Sequence, residues 1–274
     1  MLRRILTILV SVPIIFACTF EGGLFFFTLV AILSVISLNE FYNMLKTKGL
    51  NPYYAIGNVF TLAILVFVYN TIKHPSWESV SSFILTAAVI ITFSTAVFIR
   101  RSSMAIANIA ITILGIIYIG WLFSYLILLR ALTPHGVFLF LLMFAIWATD
   151  TMAYVFGKKF GRRQLSPYIS PNKTIEGAIA GFVMAVITSY FFGAFIAKSL
   201  IPDNWLHFVI IGIIIGVFGQ LSDLAESLIK RDAGVKDSSN LVPGHGGVLD
   251  RMDSFIFTAP ILYYYIYIFH MYRI

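Results

Sequence analysis

Residues 227–253 read SLIKRDAGVKDSSNLVPGHGGVLDRMD. Within them stand Lys230, Arg231, Asp232, Lys236, Asp237, His245, Asp250, Arg251 and Asp253, with Gly244, Gly246 and Gly247 close together. On either side the chain is apolar, over roughly 205–229 and 252–272. About 20 apolar residues is what an α-helix needs to cross a bilayer core. The stretch therefore reads as a charged loop and two flanking helix ends. Charge in or beside a bilayer is expensive and usually marks a site, so the function is to be sought here.

The rest of the chain agrees. Of its 274 residues 59% are hydrophobic and only 11% charged, and the mean hydropathy is +0.92. That excludes an ordinary soluble domain and leaves one integral-membrane unit. A net charge of +7 could point to nucleic acid. The basic residues fall between apolar runs, however, where membrane topology and anionic substrates explain them better. Cys18 has no second cysteine to pair with and is expected as a small buried hydrophobe. The start of the chain, Arg3 and Arg4 before an apolar run, imitates a signal peptide. No A-x-A-like site follows and a second apolar run begins at Gly22, so a retained first helix is expected.

Apolar runs fall at roughly 5–20, 22–43, 52–72, 79–99, 104–129, 136–157, 174–198, 205–229 and 252–272. The expected fold is thus an all-α polytopic integral membrane protein of about nine transmembrane helices. The first run is short and carries Pro13. With the N-terminus inside, the cytoplasmic side receives Arg3, Arg4, Lys46, Lys48, Arg100, Arg101, Lys158, Lys159, Arg162, Arg163, Lys173, Lys230, Arg231, Lys236 and Arg251. The other side receives only Lys73, Arg130, Lys198 and Arg273. The positive-inside rule then favours N-in and C-out, with loops 158–173 and 230–251 both cytoplasmic.

The two halves differ in character. Residues 1–135 carry mostly isolated charges at the ends of apolar runs and read as anchoring, lipid-facing or oligomer-forming helices; Glu40 receives no chemical role. Residues 136–274 carry the chemistry. Asp150 falls inside the sixth run, where an acid is a functional candidate by default, with a structural hydrogen-bond role as the competing reading. Ser170-Pro171 predicts a helix start, with Ser as N-cap and Pro in the first turn. Lys173 and Glu176 would then share one face near a helix N-terminus, as a phosphate subsite or as a plain surface ion pair.

Asp223, Glu226 and Lys230 are spaced three and four apart, on one face of the eighth helix. Asp250 and Asp253 are three apart at the start of the ninth. Four carboxylates from two helix ends need compensation. A hard divalent cation with oxygen ligands supplies it, and Mg²⁺ is usual where phosphates also bind. The competing reading has Asp250 and Asp253 serving the dipole of helix nine. The glycines around His245 suit a backbone that approaches a ligand closely.

Taken together, Ser227-x-x-Lys230-Arg231, Lys236-Asp237, Pro243-x-His245-Gly246-Gly247-x-x-Asp250-Arg251-x-Asp253 and the preceding Asp223-Leu-Ala-Glu226 resemble the signature of phosphatidate cytidylyltransferases (CDP-diacylglycerol synthases). Upstream, Ser170-Pro171-Asn172-Lys173-Thr174-x-Glu176-Gly177 and Asp150 with Tyr154 and Gly157 resemble that family too. The likeness covers about 145–255, and Ser222 departs from it where a glycine is expected. The resemblance implies Mg²⁺-dependent transfer of the cytidylyl group of CTP to phosphatidate. The setting implied is the cell (inner or plasma) membrane, with the active site facing the cytoplasm.

It implies Asp223, Asp250 and Asp253 as metal ligands, with Glu226 and Asp150 as supporting or secondary metal groups. Lys173, Lys230, Arg231, His245 and Arg251 would meet phosphates. Asn172, Lys236, Asp237, Gly246 and Gly247 would be cofactor-binding residues. The implied partners are CTP, phosphatidate and the lipid bilayer, without nucleic acid; a homodimer is compatible. Two other classes compete. A transporter would also hold ionisable groups, but at midplane between inverted repeats, and no such repeat is visible. CDP-alcohol phosphotransferases also cluster Asp around Mg²⁺, but their spacing is absent.

Overall fold

In the computed structural model, which describes residues 2–74, 78–99, 104–196, 205–241 and 246–269, the apolar runs form helices. Backbone polar groups in lipid must be satisfied within the chain, and a helix does so within one segment. The helices are α1 (Leu2–Glu21), α2 (Gly23–Lys46), α3 (Tyr54–Thr71) and α4 (Glu78–Ile99), then α5 (Ala105–Ala131) with a π-helical stretch at Ile116–Trp121. They continue with α6 (Val137–Phe160), α7 (Ile175–Phe195), α8 (Trp205–Asp232) and α9 (Leu249–Ile268).

Among the described residues, seven helices, α2 to α8, contain segments long and apolar enough to span a bilayer. This is an integral membrane protein. In α1 the apolar stretch Leu9–Glu21 is shorter, and in α9 Asp250, Arg251, Asp253 and four tyrosines dilute the apolar character.

One expectation fails locally. Ser170-Pro171 does not start a helix. Ser170–Thr174 is strand β2, antiparallel to β1 (Gln164–Ser166). Helix α7 begins only at Ile175, and its N-cap is Thr174, whose hydroxyl accepts from the Gly177 N–H. The strand pairing satisfies backbone groups that a lone N-cap at Ser170 would leave open, and Thr174 is itself a favoured capping residue. Lys173 and Glu176 therefore do not share a helical face: Lys173 is in the strand and Glu176 in the first helical turn. Cys18 is half-buried instead of sealed in a core.

The chain forms two compact units, one of residues 1–131 with 232–252 and the other of 132–231 with 253–274. The core of the first is built around Tyr42, fully buried. Its ring occupies the space that side chains at Gly57 and Gly115 would need, and its hydroxyl donates to the Thr112 carbonyl at 2.8 Å. The second unit is packed through glycines. A Cβ on Gly177 would stand 2.6 Å from the Ala153 carbonyl oxygen, and one on Gly181 2.9 Å from that of Thr149. Helix α7 thus lies against α6 at near-backbone distance. On its other side Gly212 and Gly216 of α8 meet Val186 and Phe182. Small residues four apart are how membrane helices gain close van der Waals contact. The tight three-helix stack sets the positions of Asp150, Lys173 and Asp223.

Candidate active site

A cavity of about 540 Å³ opens in the second unit, within the range of small-molecule sites. It is lined by Asp150, Tyr154 and Lys158 of α6, Asn172 and Lys173 of β2, and Gln220 and Asp223 of α8. Lys173 forms an ion pair with Asp223. The hairpin makes this possible, because β2 carries Lys173 to a partner 50 residues away in sequence. Glu176 holds the approach to the hairpin, its Oε2 accepting from the N–H groups of Arg162 (3.0 Å) and Arg163 (3.3 Å). Arg231 donates from Nε to the Ile169 carbonyl at 3.0 Å. Gln220 donates to the Ala178 carbonyl at 3.1 Å.

Along α8, Glu226 forms an ion pair with Lys230 one turn on. Glu226 is 0% and Lys230 8% exposed, so the pair is buried. Asp253, half-buried at the start of α9, feels the charges of Asp223, Glu226 and Asp150. Four acids are therefore gathered in this unit, two of them matched by lysines. Ser222, the departure from the expected glycine, ties α8 to residues 253–257 of α9. Its hydroxyl donates to the Asp253 carbonyl and accepts from the Phe257 N–H at 3.2 Å.

In the first unit, Asp250 ties Ser238 to Gly247. Its Oδ2 accepts from the Ser238 N–H (2.9 Å), the Ser238 hydroxyl (2.8 Å) and the Gly247 N–H (2.7 Å). Gly246 has φ +82°, a backbone region that favours glycine, and a Cβ there would stand 2.6 Å from Asp250 Oδ2. Gly246 thus makes room for the Asp250 carboxylate. Lys236, Asp237 and Arg251 are exposed. His245 lies outside the described residues.

The chain matches the model of the cytidylyltransferase family over residues 2–269. The chain belongs to the cytidylyltransferase family. It is 35% identical to a protein of Synechocystis sp. named phosphatidate cytidylyltransferase, over 96% of each chain. It is 34% identical to one of the same name from Bacillus subtilis, over 98% of each. A third of that name, from Staphylococcus saprophyticus, is 34% identical over 94% of this chain and 96% of its own. As a family member the chain is a nucleotidyltransferase enzyme.

For this cytidylyltransferase, the structure brings Asn172, Lys173 and Asp223 to one cavity and couples Asp253 electrostatically to Asp223 and Glu226. It gives Lys230 and Arg231 protein partners, Glu226 and the Ile169 carbonyl. Sequence reasoning passed over Lys158 and Gln220, which line the cavity, and gave Glu40 no chemistry. Lys158 and Gln220 flank motif residues and follow from placing those on helices. For Glu40 only its polar character in an apolar helix was a signal.

Proposed function

We propose that this enzyme transfers the cytidylyl group of CTP to phosphatidate, giving CDP-diacylglycerol and pyrophosphate. The names of its relatives support this substrate pair. The observation that carries it is the cavity of the second unit, where the Lys173–Asp223 pair stands with Asp150, Lys158 and Asn172. A phosphate monoester has a second pKa of about 6, so the lipid phosphate is already an anionic nucleophile near neutral pH. Its oxygen attacks the α-phosphorus of CTP. The bond from that phosphorus to the bridging oxygen of the β-phosphate breaks, and pyrophosphate leaves. No general base is needed; the protein supplies alignment and neutralisation of charge.

Lys173 and Lys158 are placed to neutralise phosphates entering the cavity, and Asn172 to orient them. Lys230, Arg231 and Arg251 keep the phosphate-neutralising roles implied by their motif. Gly246, Gly247, Lys236, Asp237 and His245 keep the nucleotide-binding ones. The acyl chains stay in the bilayer, in the cell membrane, with the reaction on the cytoplasmic face and the chain N-in and C-out.

Among the described residues no three His, Cys, Asp or Glu side chains converge as a cage for an ion. Mg²⁺ does not require one, since it is usually held by one or two carboxylates together with substrate phosphates. Asp223 and Asp253 fit that pattern, since the charges of Asp223 and Glu226 act on Asp253. Asp250 is the further ligand implied by the motif. When bound, the ion would screen the phosphates and draw charge from the leaving group.

The test uses purified protein in detergent. Pyrophosphate should be released from CTP only with phosphatidate and Mg²⁺ both present, and diacylglycerol should not replace phosphatidate. Release without phosphatidate, or none with it, would overturn the assignment.

A further inference from the structure

Glu40 sits near the C-terminal end of α2 and is 5% exposed. Each of its carboxylate oxygens faces one hydroxyl and one backbone N–H. Oε1 accepts from the Ser239 hydroxyl at 2.6 Å and from the Val248 N–H at 3.0 Å. Oε2 accepts from the Leu249 N–H at 2.8 Å and lies 3.2 Å from the Ser238 hydroxyl, whose single proton it shares with Asp250. All four groups belong to Ser238, Ser239, Val248 and Leu249.

The two N–H groups are among those at the entry of α9 that helical geometry leaves without a partner. A carboxylate there also meets the positive end of the helix dipole. Gly247 completes the fit, since a Cβ would stand 2.0 Å from the Ser238 hydroxyl and 2.6 Å from Glu40 Oε2. Ser238 then links Glu40 to Asp250, its hydroxyl lying within hydrogen-bond reach of both carboxylates. Two more contacts fasten the same segment to the end of α2: Lys48 pairs with Asp232 at 2.7 Å, and the Thr47 hydroxyl donates to the Ala233 carbonyl at 3.1 Å.

A buried carboxylate that served packing alone would be better replaced by an apolar side chain. One that collects every donor from a single functional loop has a different purpose. We propose that Glu40 is a positioning residue for nucleotide binding. It holds the Gly246-Gly247 turn and the first turn of α9 in the geometry that takes the nucleotide, acting through Ser238, Ser239 and the backbone of Val248 and Leu249. The nucleotide clause rests on the cytidylyltransferase reading above; the hold on the loop does not.

Glu40→Gln decides it in the full-length protein in detergent. The amide preserves volume, but its NH₂ must face one of the two backbone N–H groups, so at least one contact is lost. Hydrogen exchange of the peptide 238–249 should rise about tenfold, as expected for loss of a charge-assisted bond, while peptides from α6 and α7 stay unchanged. KM for CTP should rise about tenfold with kcat falling less than about threefold. Ser239→Ala removes one hydroxyl and strands no charge, so it covers the case in which Glu40→Gln does not fold. It should shift the same peptide in the same direction, by about threefold.

Exchange at 238–249 unchanged in a folded Glu40→Gln protein overturns the proposal. So does unchanged exchange in Ser239→Ala if Glu40→Gln is not recovered. A fall in kcat at constant KM removes the nucleotide clause. Raised exchange in a protein whose wild type consumes no CTP sinks the proposed reaction and leaves the hold on the loop standing.

Discussion

Gly212 and Gly219 lie on the same helix, α8, and offer a controlled comparison. A Cβ at position 212 would fall 2.5 Å from the Cα of Val186 and 3.0 Å from the Ala185 carbonyl oxygen. Carbon atoms in contact prefer about 3.5–4.0 Å, so the shortfall is about 1 Å or more. The obstacle is backbone, which no rotamer change can move. At position 219 the nearest atoms are the Thr258 hydroxyl at 3.7 Å and Ile146 Cγ1 at 4.0 Å, an ordinary contact. Replacing glycine by alanine inside a helix gains about 1 kcal/mol of propensity at either site. That gain cancels in the comparison. What remains is the cost of forcing α7 and α8 apart, about 1–3 kcal/mol for overpacking. At roughly 2–4 °C per kcal/mol, Gly212→Ala should melt about 2–12 °C below Gly219→Ala. The assay is thermal unfolding in one detergent, followed by tryptophan fluorescence. Equal melting of the two variants would mean that α7 and α8 are not in backbone contact at Val186, and the glycine account of the second unit would fail.

Asp253→Asn is expected to abolish turnover, by roughly 10³-fold or more, in a protein that still inserts; near-wild-type rates at saturating Mg²⁺ would reduce Asp253 to a helix-dipole role. Asp250→Asn should also lose turnover, and should raise amide exchange at Ser238 and Gly247, which its Oδ2 holds. Lys230→Met removes the lysine that pairs with the buried Glu226 and should cost about 3–5 kcal/mol. The double variant with Glu226→Gln should recover most of that in a denaturation experiment, and no recovery would count against a buried pair. Reporter fusions at the two termini should report opposite sides of the membrane; both on one side would refute the N-in, C-out assignment.

The helices were legible because lipid removes the alternatives: an apolar run of sufficient length has no other way to satisfy its backbone. The shared face of Asp223, Glu226 and Lys230 was legible too, since helical spacing is local, and the Glu226–Lys230 pair lies where that spacing puts it. The hairpin was not. Ser170-Pro171 looks like a helix start to anything that reads neighbours alone. What decides otherwise is pairing with Gln164–Ser166, together with a second capping residue at Thr174. Glu40 was the least legible. Its partners lie 198 to 209 residues away, and no spacing rule reaches that far.

That separation has a consequence for how the protein is made. The first unit is closed by residues 232–252, which leave the ribosome after six further helical segments have been synthesised. At about 5–20 residues per second, Glu40 waits roughly 10–40 s for the hydroxyls and amides that will surround it. Throughout that interval the membrane holds a glutamate in α2 whose loop partners do not yet exist. A nascent chain halted before Ser238 therefore has its N-terminal helices in place but none of the four groups that meet the Glu40 carboxylate, and the first unit is closed only when residues 232–252 arrive.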